Sequence, residues 1–137
     1  MKDLNSLVCV DDFRKASQSL LPKSIQGFYE SGALMENTLK ENEEAFNWWY
    51  IRPRLLIDVS DVNLSTTVLG HRISVPFGVA PTGMQGMCHP DGESGAARAA
   101  GKIGAVYGLS TSATTDLETV SKENGLKFFQ LYVYSDK

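Results

Sequence analysis

Phe128-Phe129-Gln130-Leu131-Tyr132-Val133-Tyr134 decides the reading of this chain. Its alternation predicts a strand over residues 128–133, with Phe128, Gln130 and Tyr132 on one face and Phe129, Leu131 and Val133 on the other. One face of a buried strand then carries an amide and a phenol. Each must find a partner or cost about 1–3 kcal/mol in lost hydration. Strands that face a ligand at the mouth of a barrel have this character. The alternative is a hairpin strand with one wet face.

Upstream of it, Phe77-Gly78-Val79-Ala80 reads as a short apolar strand running into Pro81-Thr82-Gly83. Residues 92–104 form a helix rich in alanine and glycine, small enough to lie close against a sheet. Residues 105–109 make a second apolar strand that ends in Ser110-Thr111-Ser112. A short helix over 117–123 closes at Asn124-Gly125, just before the third strand. The order β-α-β-α-β, with apolar strands and helical crossovers, predicts parallel pairing and right-handed connections. Gly101-Lys102-Ile103-Gly104 closes a helix instead of following a strand, which argues against a dinucleotide-binding loop.

The first part of the chain reads as helical. Asp11 or Asp12 can cap a helix through Phe13, Ala16 and Leu20; Pro22 starts a second that ends near Gly32. Asn37 caps a third, leading to Trp48-Trp49-Tyr50, an aromatic cluster read as core packing. Pro53 breaks the pattern. Leu55, Ile57 and Val59 then alternate as a strand, and residues 65–69 form another that turns at Gly70-His71. Arg52 and Arg54 are read as solvated or carboxylate-paired rather than as a phosphate clamp. The expected class is α/β: a helical and hairpin lead-in over residues 1–74, then barrel strands and helices over 75–137.

Composition narrows the function. At 137 residues the chain holds one domain at most, and 42% hydrophobic with 21% charged residues is an ordinary globular balance. A net charge of -3 argues against nucleic acid as a partner, since phosphate binding needs a basic stripe. No apolar run approaches the ~20 residues of a membrane span. The first residues lack the basic-then-apolar pattern of a secretion signal. Cys9 and Cys88, with no CxxC or Cys/His cluster, suit a reducing compartment and argue against a metal site.

All three barrel strands run into polar segments at their C-terminal ends, which in a parallel barrel converge on one mouth. Gly83 lets the backbone approach a flat ligand. The N–H groups beyond it, with the Ser110 hydroxyl and the Gln130 amide, can read the edge of a heterocycle. Thr114 or Thr115 is read as the cap of the helix at Leu117. His89 falls in a turn before the helix at Gly92 and His71 in a hairpin turn. Neither sits beside a carboxylate by spacing, so neither is assigned as a base.

LPKSIQGFYESGA, RPRLLIDVSDVNLSTTVLG, VPFGVAPTGMQGMCHPDGE, LSTSATTDLE and FFQLYVYSDK, in this order, resemble the FMN-dependent α-hydroxy-acid oxidases, the glycolate and long-chain hydroxy-acid oxidases among them. The resemblance implies a (β/α)8 TIM barrel, of which this chain would be the lead-in and the first three βα units, an incomplete barrel. It implies oxidation of 2-hydroxy acids to 2-oxo acids, with O2 reduced to hydrogen peroxide. It also implies a homo-oligomer, a tetramer when full length, and a peroxisomal address, or otherwise a cytoplasmic one. By position, Pro81, Thr82 and Gly83 would line the FMN, Ser110 and Gln130 would hydrogen-bond its pyrimidine end, and Tyr132 would meet the substrate's oxygen.

Two departures from the glycolate oxidases bear on substrate. They carry a tyrosine where this chain has Phe28, and a tryptophan over the pocket where it has Ser112. Both changes point away from glycolate and toward longer or bulkier 2-hydroxy acids. The family's catalytic histidine, substrate-binding arginines, flavin-facing lysine and phosphate site are expected beyond Lys137, so no catalytic residue is assigned within these 137 residues. The chain alone is expected to be inactive. One rival reading is a truncated, non-catalytic product that binds a partner or a full-length subunit. Another is a barrel enzyme acting on nucleotides or prenyl diphosphates, which NLSTTVLG and FFQLYVY disfavour.

Overall fold

The computed structural model describes residues 4–135 and divides into two units, one up to Ile57 and one from Asp58 onward. The first holds three short helices, α1 (Val10–Gln18), α2 (Lys23–Glu30) and α3 (Asn37–Glu44), with a 3-10 turn at Ala45–Trp48. The N-cap of α1 is Cys9, not Asp11 or Asp12. Asp12 instead reaches back to accept from the N–H groups of Val8 (3.1 Å) and Cys9 (3.3 Å), which satisfies donors that the first turn leaves free. Those bonds, the one from Val8 foremost, hold its carboxyl below the ordinary value. Pro22 precedes α2 as expected, and α3 is entered through Glu36 in a left-handed conformation, with Asn37 its first residue.

None of the three helices buries a residue. The expected aromatic core is not found: Trp48, Trp49 and Tyr50 are 69%, 82% and 91% exposed. Helices of eight and nine residues present too narrow an apolar stripe to enclose three large rings within this unit. The expected strand at 55–59 is also absent. Alternation makes a strand only where a neighbour completes the ladder, and none does so here.

The second unit begins with an antiparallel hairpin, β1 (Thr66–Val68) and β2 (His71–Ile73), with Thr66 opposite Ile73. Leu69 and Gly70 turn it, both at positive φ, the twist that suits a two-residue hairpin loop. Then come β3 (Gly78–Val79), α4 (Gly92–Ile103), β4 (Val106–Leu109), α5 (Leu117–Ser121) and β5 (Lys127–Phe129). The sheet order is β3-β4-β5 and both pairings are parallel, with Gly78 beside Val106 and Leu109 beside Phe129. The expected βαβαβ order is present, with strands shorter than the sequence suggested. The last ladder bond runs from the Gln130 N–H to the Leu109 carbonyl (2.8 Å). Past Leu109 the chain turns away at Ser110–Ser112, so residues 130–134 have no rail to pair with and β5 stops at Phe129.

The core lies between sheet and helices. Tyr107 and Leu109 of β4 pack against Ala97 and Ala100 of α4, Val120 of α5 and Ala105. Small residues permit the approach: a Cβ on Gly101 would collide with the Asn124 carbonyl oxygen. α4 ends at Gly104, φ 68°, where the N–H groups of Gly104 and Ala105 return to the carbonyls of Gly101 and Ala100. No helix among the described residues is long and apolar enough to cross a membrane.

Candidate functional site

Parallel strands aim their C-terminal ends the same way, so the loops after β3 and β4 and the segment after β5 meet at one edge of the sheet. Residues 82–87 form the first loop. The Met84 N–H donates to the Ser112 carbonyl (3.0 Å), and Met84 itself takes a left-handed conformation, φ 59°. The Gln85 amide nitrogen donates to the Thr82 carbonyl and to the Tyr107 hydroxyl, both at 3.2 Å. Burial pushes the Tyr107 phenol above its ordinary pKa.

The loop after β4 meets β5 through Gln130. Its side-chain oxygen accepts from the Thr111 N–H (3.1 Å) and the Ser110 hydroxyl (3.4 Å), while Ser110 accepts from the Ser112 N–H (3.1 Å). The Thr111 hydroxyl donates to the Gln130 carbonyl. Ser110 is buried. With its oxygen so engaged, the Gln130 amide keeps its two N–H donors without an acceptor among the described residues, next to the Ser110 hydroxyl. That donor set fits the carbonyl-bearing edge of a flavin pyrimidine ring.

Most of the expected residues are therefore brought together. Thr82, Gly83, Ser110, Ser112 and Gln130 share one hydrogen-bonded edge; a Cβ on Gly83 would lie 3.1 Å from that of Ser112. Pro81 packs against Gly108, where a Cβ would meet its ring at 2.8 Å. Tyr132 follows on, off the strand and 52% exposed, with its ring 6.3 Å from that of Tyr134. The expectation that it shares a strand face with Gln130 is corrected, because β5 ends at Phe129. Phe28 belongs to the first unit, on α2, half exposed and edge-on to Tyr29 at 5.0 Å.

The sequence reading missed the group at the centre of these loops. Glu93, in the first turn of α4, is wholly buried. Its Oε1 accepts from the N–H groups of Gln85 and Thr114 (both 2.9 Å). Its Oε2 accepts from the Thr114 hydroxyl (2.7 Å), the Thr115 hydroxyl (2.8 Å) and the Thr115 N–H (3.1 Å). Burial pushes the carboxyl up, but the Thr114 and Thr115 bonds outweigh it and hold its pKa at about 2. The expected capping role of Thr114 or Thr115 is thereby overturned. Asp116 caps α5, accepting from the Thr119 N–H at 2.7 Å, and both threonine hydroxyls turn to Glu93. Nothing local marks it: a Glu at a helix start reads as a solvated charge, and its threonine partners lie more than twenty residues away.

The His89 Nδ1 accepts from the Asp91 N–H (3.1 Å) within the expected turn, and His71 opens β2. A cavity of about 440 Å³ on the second unit is lined by residues of the hairpin, β3, β4 and β5, such as Ile73, Phe77, Val106 and Phe128, and reaches Pro81 and Gln130 at the strand ends.

Among known proteins, the chain is 47% identical to glycolate oxidase 1 of Oryza sativa subsp. indica, over 98% of this chain and 37% of that protein. It superposes on a soluble mutant of the membrane-associated (S)-mandelate dehydrogenase from Pseudomonas putida with a TM-score of 0.88 at 40% identity, covering 93% of this chain and 37% of that one. A mandelate oxidase structure gives 0.90 at 34% identity, over 96% of this chain and 38% of that one. The chain thus spans little more than a third of the length of these relatives. The pattern of the FMN-dependent dehydrogenases matches residues 17–137. By that match and those identities, this chain belongs to the FMN-dependent dehydrogenase family, whose cofactor is FMN.

Proposed function

We propose that the chain contributes the flavin-facing edge of an enzyme that oxidises 2-hydroxy acids to 2-oxo acids, with O2 reduced to hydrogen peroxide. The observation that carries this reading is the Ser110–Gln130 pair at the strand ends, where the Gln130 amide has no acceptor among the described residues and stands beside a buried hydroxyl. Bound FMN would supply the two-electron acceptor. Pro81, Thr82 and Gly83 would line its face, and Ser110 and Gln130 would hydrogen-bond its pyrimidine edge, with the Gln130 amide N–H groups as the donors. Tyr132 and Ser112 face the substrate, as does Phe28, by family position. The base that takes the substrate's proton comes from outside these 137 residues. Of the candidates within, the His89 Nδ1 is engaged by the Asp91 N–H, His71 belongs to the hairpin, and the Glu93 carboxylate is filled by five donors. These residues are the first part of a (β/α)8 barrel, active as a homo-oligomer in the peroxisome, and inactive when expressed alone.

Substrate choice follows from two side chains. Phe28 offers the substrate carboxylate no hydroxyl, forgoing a contact worth about 1.5–3 kcal/mol. Ser112 leaves open the space that an indole fills in glycolate oxidases, and each buried CH2 of a longer substrate returns about 0.8 kcal/mol. Glycolate, with no side chain, recovers nothing. We expect kcat/KM in the full-length protein to rise from glycolate to medium-chain 2-hydroxy acids, and Ser112→Trp to reverse much of that rise. A wild type that prefers glycolate overturns the substrate reading; one that purifies without FMN and takes none up overturns the flavin reading.

A further inference from the structure

We propose that Glu93 is a positioning residue: from α4 it clamps the loop after β3 to the loop after β4 and so sets the backbone that meets the flavin. The inference rests on the function proposed above for what the loops touch, but the clamp is visible without it.

The two carboxylate oxygens accept five hydrogen bonds, one from the first loop and four from the second. The Thr114 hydroxyl, while donating to Glu93, accepts from the Gly86 N–H at 2.9 Å, tying the loops a second time. Met84 to Ser112 is the third tie. All five donors to the carboxylate are amides and hydroxyls. The nearby cation on α4, Arg98, is engaged by Glu123 (2.8 Å) and Asp91 (3.6 Å) on the outer surface. A buried carboxylate is kept only where its donors are fixed, so the charge and the loop geometry hold each other in place. Gln85 is the link to the ligand edge. Its N–H is held by Glu93, while its side chain holds the Thr82 carbonyl, next to Gly83.

Substitution separates positioning from bulk support. Glu93→Gln keeps the volume but puts an NH2 where lone pairs were, facing the Thr115 N–H and hydroxyl, donor against donor. Glu93→Asp keeps both oxygens and loses a methylene of reach.

The test uses full-length protein. Amide exchange is followed by mass spectrometry in peptides covering 82–87 and 111–116, with FMN affinity, the flavin's visible spectrum and the kcat–KM split measured alongside. We expect Glu93→Gln to speed exchange in those two loops by about tenfold or more, with β4 unchanged. FMN affinity should fall about tenfold with a shifted flavin spectrum, and Glu93→Asp should recover part of both. Unchanged exchange in the loops overturns the clamp. Loosening of β4 to the same degree overturns positioning in favour of general support. If the loops loosen while flavin affinity and spectrum stay as in wild type, the link to the flavin is overturned. A wild type that binds no FMN overturns the functional reading, and exchange then decides the clamp by itself.

Discussion

Helices α1–α3 and helix α4 carry apolar residues at helical spacing, yet only α4 buries any of its own. α4 meets a sheet through Ala97 and Ala100, whose small side chains bring it close enough for Tyr107, Leu109 and Val120 to fill the space between. In the first unit Phe13, Phe28 and Phe46 stay at least half exposed despite their larger apolar area. Burial follows from having a surface to pack on, more than from how much hydrocarbon a helix displays.

Truncation in the packed layer should cost most. Leu109→Ala is expected to destabilise the protein by about 2–5 kcal/mol, read from the urea midpoint, because neighbours on two helices cannot all collapse into the void. A cost near that of a surface change would break the contrast between the two units.

Next in size is the pH dependence of Glu93. Its folded pKa, about 2, lies below the ordinary 4.5, so ionisation stabilises the fold above pH 4.5 and that contribution is lost as pH falls through 2. The facing titratable group is the Tyr107 phenol, neutral throughout this range. The stability gap between wild type and Glu93→Gln should therefore shrink by about 3 kcal/mol between pH 5 and pH 2. A gap that does not vary with pH would mean the carboxylate's charge contributes nothing.

Gly101→Ala sharpens the comparison further. Alanine favours a helix over glycine by about 1 kcal/mol, but its Cβ would press on the Asn124 carbonyl. A net loss of about 1–3 kcal/mol is expected from the forced backbone shift; a gain in melting temperature would show that the contact relaxes freely. The smallest effect belongs to the first unit, where Leu34→Ala, at a wholly exposed side chain, should stay within about 0.5 kcal/mol by the same urea assay.

The sequence alone was enough for the order of elements from the hairpin onward and for the parallel sheet, because period-two and period-3.6 patterns and Gly104 or Gly125 punctuation are local properties of the chain. It was also enough to point to Ser110 and Gln130, since an amide and a hydroxyl at the ends of apolar strands call for partners wherever they fold. Strand ends were not legible: β5 stops at Phe129 because β4 stops at Leu109, a fact about a neighbour and not about residues 128–133. Nor was the fate of Trp48, Trp49 and Tyr50, whose burial depends on what covers them. Glu93 is the clearest case. A glutamate at a helix start reads as a solvated charge, and only the tertiary structure, by bringing Gln85, Thr114 and Thr115 around it, makes it the buried centre of the site.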